Sequence, residues 1–162
     1  MLRKTRSHFI FGTNILLLGC AHTKSGSEQT NTELYKKLED FDPDTIFIEL
    51  STQHDTLEVR KYDDMDSVIQ YAEDNSKRLV KYDSLPDQWG KTKRESQTIL
   101  ASEDVSLQEE RRILRKNNLL RELSESREEH AMAQLIQELG TQERIALHCG
   151  FVHTEPYNQF LE

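Results

Sequence analysis

Two histidines follow candidate strands in the same four-residue pattern, Gly-x-x-His. His22 ends the segment Gly19-Cys20-Ala21-His22, and His153 ends the segment Gly150-Phe151-Val152-His153. Each pattern comes directly after a short apolar run, which is typical of a buried strand. Open α/β folds build their sites in the crevice beyond the carboxyl ends of parallel strands, so both imidazoles are expected at that edge of a sheet. An imidazole there serves either as a structural hydrogen-bond donor or as a catalyst, and two at matching positions favour catalysis.

Glu49 is the third candidate, near the end of the apolar segment 45–50. A carboxylate on an otherwise apolar strand must meet a partner or solvent, because burying it unpaired is costly. A crevice at the strand end satisfies this requirement. His148, inside the last apolar segment, is instead expected to be packed and hydrogen-bonded within the fold.

Hydrophobic periodicity predicts the elements that position these residues. The segment from 15 to 50 has the order strand, helix, strand, which is the βαβ unit of a parallel sheet. Thr30 and Glu33 have the spacing of a capping box at the start of the intervening helix. The sequence therefore predicts one α/β domain over residues 1–162, with a mainly parallel central sheet and flanking helices. The predicted strands are 15–18, 45–50, 79–82 and 145–149; the predicted helices are 31–39, 64–73, 107–123 and 126–139, with a loop at 84–106.

The first twenty residues admit two interpretations. A basic start, an apolar stretch and Leu17-Leu18-Gly19-Cys20 imitate a lipoprotein signal. Gly12-Thr13-Asn14 interrupts that stretch with residues typical of a turn. We favour the second interpretation, an N-terminal hairpin between residues 9–11 and 15–18.

Composition excludes several classes of protein. A length of 162 residues fits one domain, and a net charge of −8 argues against binding to a nucleic-acid backbone, which needs a basic surface. No apolar run reaches the roughly 18 residues of a membrane-spanning helix. Cys20 and Cys149 are too few for a disulfide framework, so we expect reduced thiols in a cytoplasmic protein. Both are interpreted as small core residues at strand ends, with metal ligands or redox-sensitive thiols as the alternative.

Four motifs occur in the order known from one protein family. They are residues 16–22 with the first Gly-x-x-His, residues 42–50 with Glu49, residues 127–133 with Arg127, and residues 150–153 with the second Gly-x-x-His. This arrangement resembles the TraB/Tiki branch of the superfamily that includes erythromycin esterases and ChaN-like haem-binding proteins. The resemblance covers residues 9–153.

The resemblance implies a hydrolase of the metallopeptidase or esterase type, acting on a peptide or a small ester. His22, Glu49 and His153 would bind a divalent metal such as Mn²⁺, Co²⁺ or Zn²⁺, or would activate water directly, and Arg127 would face them as a fourth catalytic residue. The main alternative is a non-catalytic regulatory domain of the same fold that binds a ligand, a metal or haem. A third is an interaction protein that forms a homodimer through the helical segment 107–139.

Overall fold

A computed structural model describes residues 2–22, 28–51, 60, 62–83, 127–142 and 144–162. The predicted loop 84–106 and the predicted helix 107–123 lie outside these ranges, as does the first part of the proposed dimerisation segment. The strands are β1 (Leu2–Ile10), β2 (Thr13–Cys20), β3 (Thr45–Ser51), β4 (Arg78–Asp83) and β5 (Arg144–Gly150). The helices are α1 (Glu28–Phe41), α2 (Asp63–Asp74), α3 (Arg127–Glu138) and α4 (Thr154–Leu161), and a 3₁₀ turn (Phe151–His153) precedes α4.

The five strands form one sheet in the order β1-β2-β5-β3-β4. β1 is antiparallel to β2, and the other neighbouring pairs are parallel. The predicted α/β class with a mainly parallel sheet is confirmed. β5, the last strand in the chain, lies between β2 and β3, and this position determines which strand ends are neighbours.

Helices cover the sheet on both faces. On one face, α1 and α2 pack against Leu16, Leu18 and Ile48. On the other face, α3 and α4 pack against Leu17 and Leu147. Strands buried on both faces read as continuous apolar runs, which is why residues 15–18 and 145–149 could be recognised from the sequence.

A two-residue turn joins β1 to β2. Phe11 and Gly12 both have positive φ, 49° and 85°, as a tight hairpin turn with the right-handed strand twist requires. The turn therefore precedes Thr13, whereas the sequence suggested residues 12–14. Thr13 is buried in β2 because its hydroxyl accepts a hydrogen bond from the Gly140 amide and donates one to the Gln142 carbonyl.

Two further boundaries differ from the sequence predictions. α1 begins at Glu28, so Thr30 lies inside the helix and the predicted capping box is wrong. α4 was not predicted, although its Tyr157 and Leu161 have the four-residue spacing of a buried helical face.

None of the helices in the described ranges is long and apolar enough to cross a membrane.

Candidate functional site

Three adjacent strands bring His22, Glu49 and His153 together. His22 follows β2, His153 ends the turn after β5, and Glu49 lies near the end of β3. The Nε2 atom of His22 is 3.7 Å from Oε2 of Glu49, and the Nε2 atom of His153 is 3.6 Å from Oε1 of the same carboxylate. The side chains of His22 and His153 remain 32% and 18% exposed, so the cluster is open to solvent on one side.

The crevice exists because β3 separates from its neighbours near Glu49. β3 pairs with β5 only over Thr45, Ile46 and Phe47. Its register with β4 shifts between Ile48 and Ser51, and an irregularity of this kind re-aims side chains near functional sites. In place of a ladder bond, the Gly150 amide donates to Oε2 of Glu49. This contact accounts for a carboxylate that is only 7% exposed.

Asp64 joins the cluster from the first turn of α2. Its Oδ2 atom lies 2.7 Å from Nδ1 of His22 and 2.9 Å from Nε2 of His148. Because an ionised carboxylate can only accept, both imidazoles donate to it. His148 is fully buried, which confirms its expected packing and hydrogen bonding.

Sequence reasoning missed Asp64. Asp63, Asp64 and Asp66 resemble the acidic residues that commonly start a helix, where they complement the helix dipole. One signal in the sequence could have identified Asp64, namely its place in the chain. The helix α2 follows β3, and the first turn of a helix after a strand lies near the carboxyl edge of the sheet. The burial of Asp64 could not be predicted from its neighbours.

The carboxylates favour the charged form of His22. Its pKa rises from 6.5 to about 9, chiefly through the hydrogen bond with Asp64 and then through the one with Glu49. Burial raises the pKa of Asp64, but the hydrogen bonds with His148 and His22 outweigh burial and hold it below its usual range. Without a bound cation, His22 is therefore an imidazolium at neutral pH. It can donate a proton, but it cannot accept one.

Both motif glycines permit a close approach. A Cβ atom on Gly150 would lie 3.1 Å from Nε2 of His22 and 3.2 Å from Oε2 of Glu49. A Cβ atom on Gly19 would collide with the Thr154 hydroxyl at the start of α4. The motifs thus need glycine for space beside the site.

The distances allow a test of the predicted metal ligands. Donor atoms that share one tetrahedral ion, at about 2.0–2.2 Å each, lie about 3.4 Å apart. The separations of 3.6 and 3.7 Å between Glu49 and the two histidines fit this spacing pair by pair. The histidines face different carboxylate oxygens, and the three residues do not each place one ligand atom within 4.8 Å of the others. A tighter group exists nearby. Within the described residues, only Cys20, Asp64 and His148 each place a ligand atom within 4.8 Å of the others.

Three candidate residues remain, Arg127, Cys20 and Cys149. Arg127 is the first residue of α3, and the placement of its side chain lies outside what the structure describes. Cys20 and Cys149 are fully buried free thiols, and each belongs to the apolar cluster on a different face of the sheet. Burial raises the pKa of the Cys149 thiol to about 12, so this thiol is uncharged.

The chain matches no family model, no curated protein and no solved structure. The resemblance to the TraB/Tiki branch thus depends on the motifs of the sequence.

Proposed function

We propose that this protein is a metal-dependent hydrolase that cleaves an amide or ester bond by attack of water. The observation that carries the proposal is the convergence of His22, Glu49 and His153 at the carboxyl edge of three adjacent strands. Glu49 lies within 4 Å of each histidine in an open crevice, and a carboxylate beside imidazoles is an arrangement that can activate water.

Asp64 has a positioning role in this proposal. By accepting from Nδ1 of His22, it fixes the ring with Nε2 directed towards Glu49. A carboxylate that holds the far nitrogen of a metal-binding histidine is a recurring feature of metalloenzymes, where it fixes the tautomer and strengthens the ligand. The Gly150 amide donates to Oε2 of Glu49 and thereby fixes the orientation of that carboxylate.

His22, Glu49 and His153 would hold a divalent ion of the Mn²⁺, Co²⁺ or Zn²⁺ class. The ion would supply Lewis-acid chemistry, since it polarises a carbonyl and lowers the pKa of water. The imidazolium of His22 must lose its proton before it can bind, so metal affinity should rise as pH rises towards 9.

The chain itself contributes proton transfer and charge stabilisation. A carbon–oxygen bond forms between water and the substrate carbonyl, the water proton passes to Glu49 or His153, and the carbon–nitrogen or ester carbon–oxygen bond then breaks as the leaving group takes a proton. Arg127 is proposed to contact the oxyanion that develops on the carbonyl. A guanidinium stabilises such a charge with a planar set of donors.

The alternative is a regulatory domain that binds a ligand without catalysis. One observation favours it: the side chains of His22 and His153 are 32% and 18% exposed, so a ligand can reach the crevice whether or not catalysis follows. Such a domain would retain the crevice but would have no turnover.

A substrate panel separates the two functions. Metal-free protein is reconstituted with Mn²⁺, Co²⁺ or Zn²⁺ and assayed against peptides and small esters. We expect hydrolysis that a chelator abolishes and that His22→Ala reduces by about 10²-fold or more. Asp66→Asn is the matched control, because Asp66 lies on the same helix as Asp64 but contacts Arg60 instead. A folded, metal-loaded protein that shows no His22-dependent hydrolysis of any member would support the regulatory domain.

A further inference from the structure

A second group of potential metal ligands lies behind the open cluster. Cys20 ends β2, His148 lies inside β5, and Asp64 reaches them from α2. One ligand atom from each lies within 4.8 Å of the others, and all three residues are at most 2% exposed. Cys20 and Cys149 belong to opposite faces, so only Cys20 is on the face that α2 covers.

Two polar atoms of this group have no hydrogen-bond partner among the described residues. They are Oδ1 of Asp64 and Nδ1 of His148. His148 donates to Asp64 through Nε2, so Nδ1 lies on the side of the ring away from this carboxylate. A buried acceptor without a donor destabilises the fold, and native proteins contain few of them. A cation at Oδ1 of Asp64 would satisfy that oxygen, and His148 would reach the same ion through Nε2, the nitrogen beside Asp64, in place of its hydrogen bond.

We propose that Cys20, Asp64 and His148 form a buried binding site for Zn²⁺, distinct from the open cluster. Sulfur, nitrogen and oxygen donors together suit a borderline-soft ion, and thiolate disfavours Mg²⁺, Ca²⁺ and Mn²⁺. A sulfur–zinc bond forms as the Cys20 thiol releases its proton to solvent, and Nε2 of His148 likewise loses the proton that it donates to Asp64 before it binds the ion. Three protein ligands leave a fourth coordination position for water.

The two sites meet at Asp64. Its Oδ2 atom accepts from Nδ1 of His22, while Oδ1 is the oxygen that lacks a partner among the described residues. An ion in the buried site would therefore act on the open cluster through the carboxylate that orients His22. The buried site does not depend on the hydrolase proposal, because an ion held there needs no substrate.

Cobalt is the probe, because Co²⁺ bound to a thiolate has a charge-transfer absorption that Co²⁺ bound only to nitrogen and oxygen lacks. The open cluster contains no sulfur, so this absorption reports the buried site alone. We expect it in wild-type protein and in Cys149→Ser, and we expect Cys20→Ser to lose it and to bind Co²⁺ at least about tenfold more weakly. Cys149 is the matched control because it is equally buried.

A second measurement avoids dependence on the folding of Cys20→Ser. The chain has two cysteines, so Cys20 is the only one left in Cys149→Ser. X-ray absorption of Zn²⁺-loaded Cys149→Ser should show a sulfur neighbour at about 2.3 Å, at up to one sulfur per zinc ion in the buried site. A shell of nitrogen and oxygen only, or a thiolate absorption that Cys149→Ser abolishes, would overturn the proposal. If the metal-loaded protein keeps the sulfur ligand but hydrolyses no member of the substrate panel, only the hydrolase proposal is overturned.

Discussion

Replacing Asp64 with asparagine removes the carboxylate that holds the rings of His22 and His148. The side chain keeps its size but loses its charge. Nδ1 of His22 then donates to a neutral amide oxygen instead of a carboxylate. We therefore expect the pKa of His22 in metal-free protein to fall. Glu49 still faces Nε2 at 3.7 Å, so the pKa should remain above 6.5.

The size of the change follows from the pKa of His22. A rise from 6.5 to about 9 corresponds to about 3 kcal/mol in favour of the charged ring, at about 1.4 kcal/mol for each tenfold change. This energy is an upper bound, because 32% of the side chain is exposed and water screens the pairing. The hydrogen bond with Asp64 is the largest single cause of the rise, so Asp64→Asn should lower the pKa of His22 measurably from about 9.

The assay is a pH titration of the imidazole protons by NMR after metal removal. Six histidines give resolvable signals, and His22→Gln identifies the one that belongs to His22. Asp66→Asn makes the same change in net charge two residues away and should leave this pKa in place. An unchanged pKa in Asp64→Asn, or an equal fall in Asp66→Asn, would refute the proposed arrangement of the site.

Three further predictions concern stability and turnover. The folded pKa of His22 exceeds its unfolded value, so its contribution is complete below pH 6.5, and the free energy of unfolding in urea should fall as pH rises from 6.5 to about 9. In Gly150→Ala, the added Cβ atom displaces His22 and Glu49, so turnover should fall by about 10²-fold while the protein remains folded by circular dichroism. Arg127→Ala should lower turnover by about 10²–10³-fold with metal binding nearly intact, and Arg127→Lys should restore little.

Each of these predictions has its own control. In His22→Gln, the free energy of unfolding should fall less between pH 6.5 and about 9 than in the wild type. An equal fall in that variant would assign the loss of stability to other groups. Gly12→Ala introduces strain at a φ of 85° with open space around the new atom. It should therefore lower the melting temperature without affecting turnover, and the same loss of turnover in both glycine variants would contradict the crowding argument. Unchanged hydrolysis in Arg127→Ala would remove that residue from the site.

Local patterns in the sequence predicted most of the described elements, α4 being an exception, but they could not predict the order of the strands. Continuous apolar runs identify β3 and β5 because both faces of these strands are covered. Whether β5 lies beside β2 or at an edge depends on long-range packing, which leaves no periodic signal. The rule for parallel strand ends made the convergence of His22, Glu49 and His153 an expectation, whereas the distances between them depend on the strand order.

Asp64 shows why the rest of the site could not be predicted. Two histidines distant in the sequence share this carboxylate, and its burial depends on where α2 rests against the sheet. Nothing within a few residues of Asp64 distinguishes it from Asp63 or Asp66. The role of Cys20 is similar, because a small core residue and a metal ligand have the same sequence context until His148 and Asp64 are seen beside it.

The most direct test of the central claim is the turnover of Glu49→Gln on whichever substrate of the panel the wild type hydrolyses. This substitution keeps the shape of the side chain between His22 and His153 but removes its charge and its capacity as a base. We predict a fall of at least about 10²-fold in the metal-reconstituted protein, with the fold retained and the Asp66→Asn control fully active. Undiminished turnover in folded Glu49→Gln would contradict the claim that these three residues form one water-activating site.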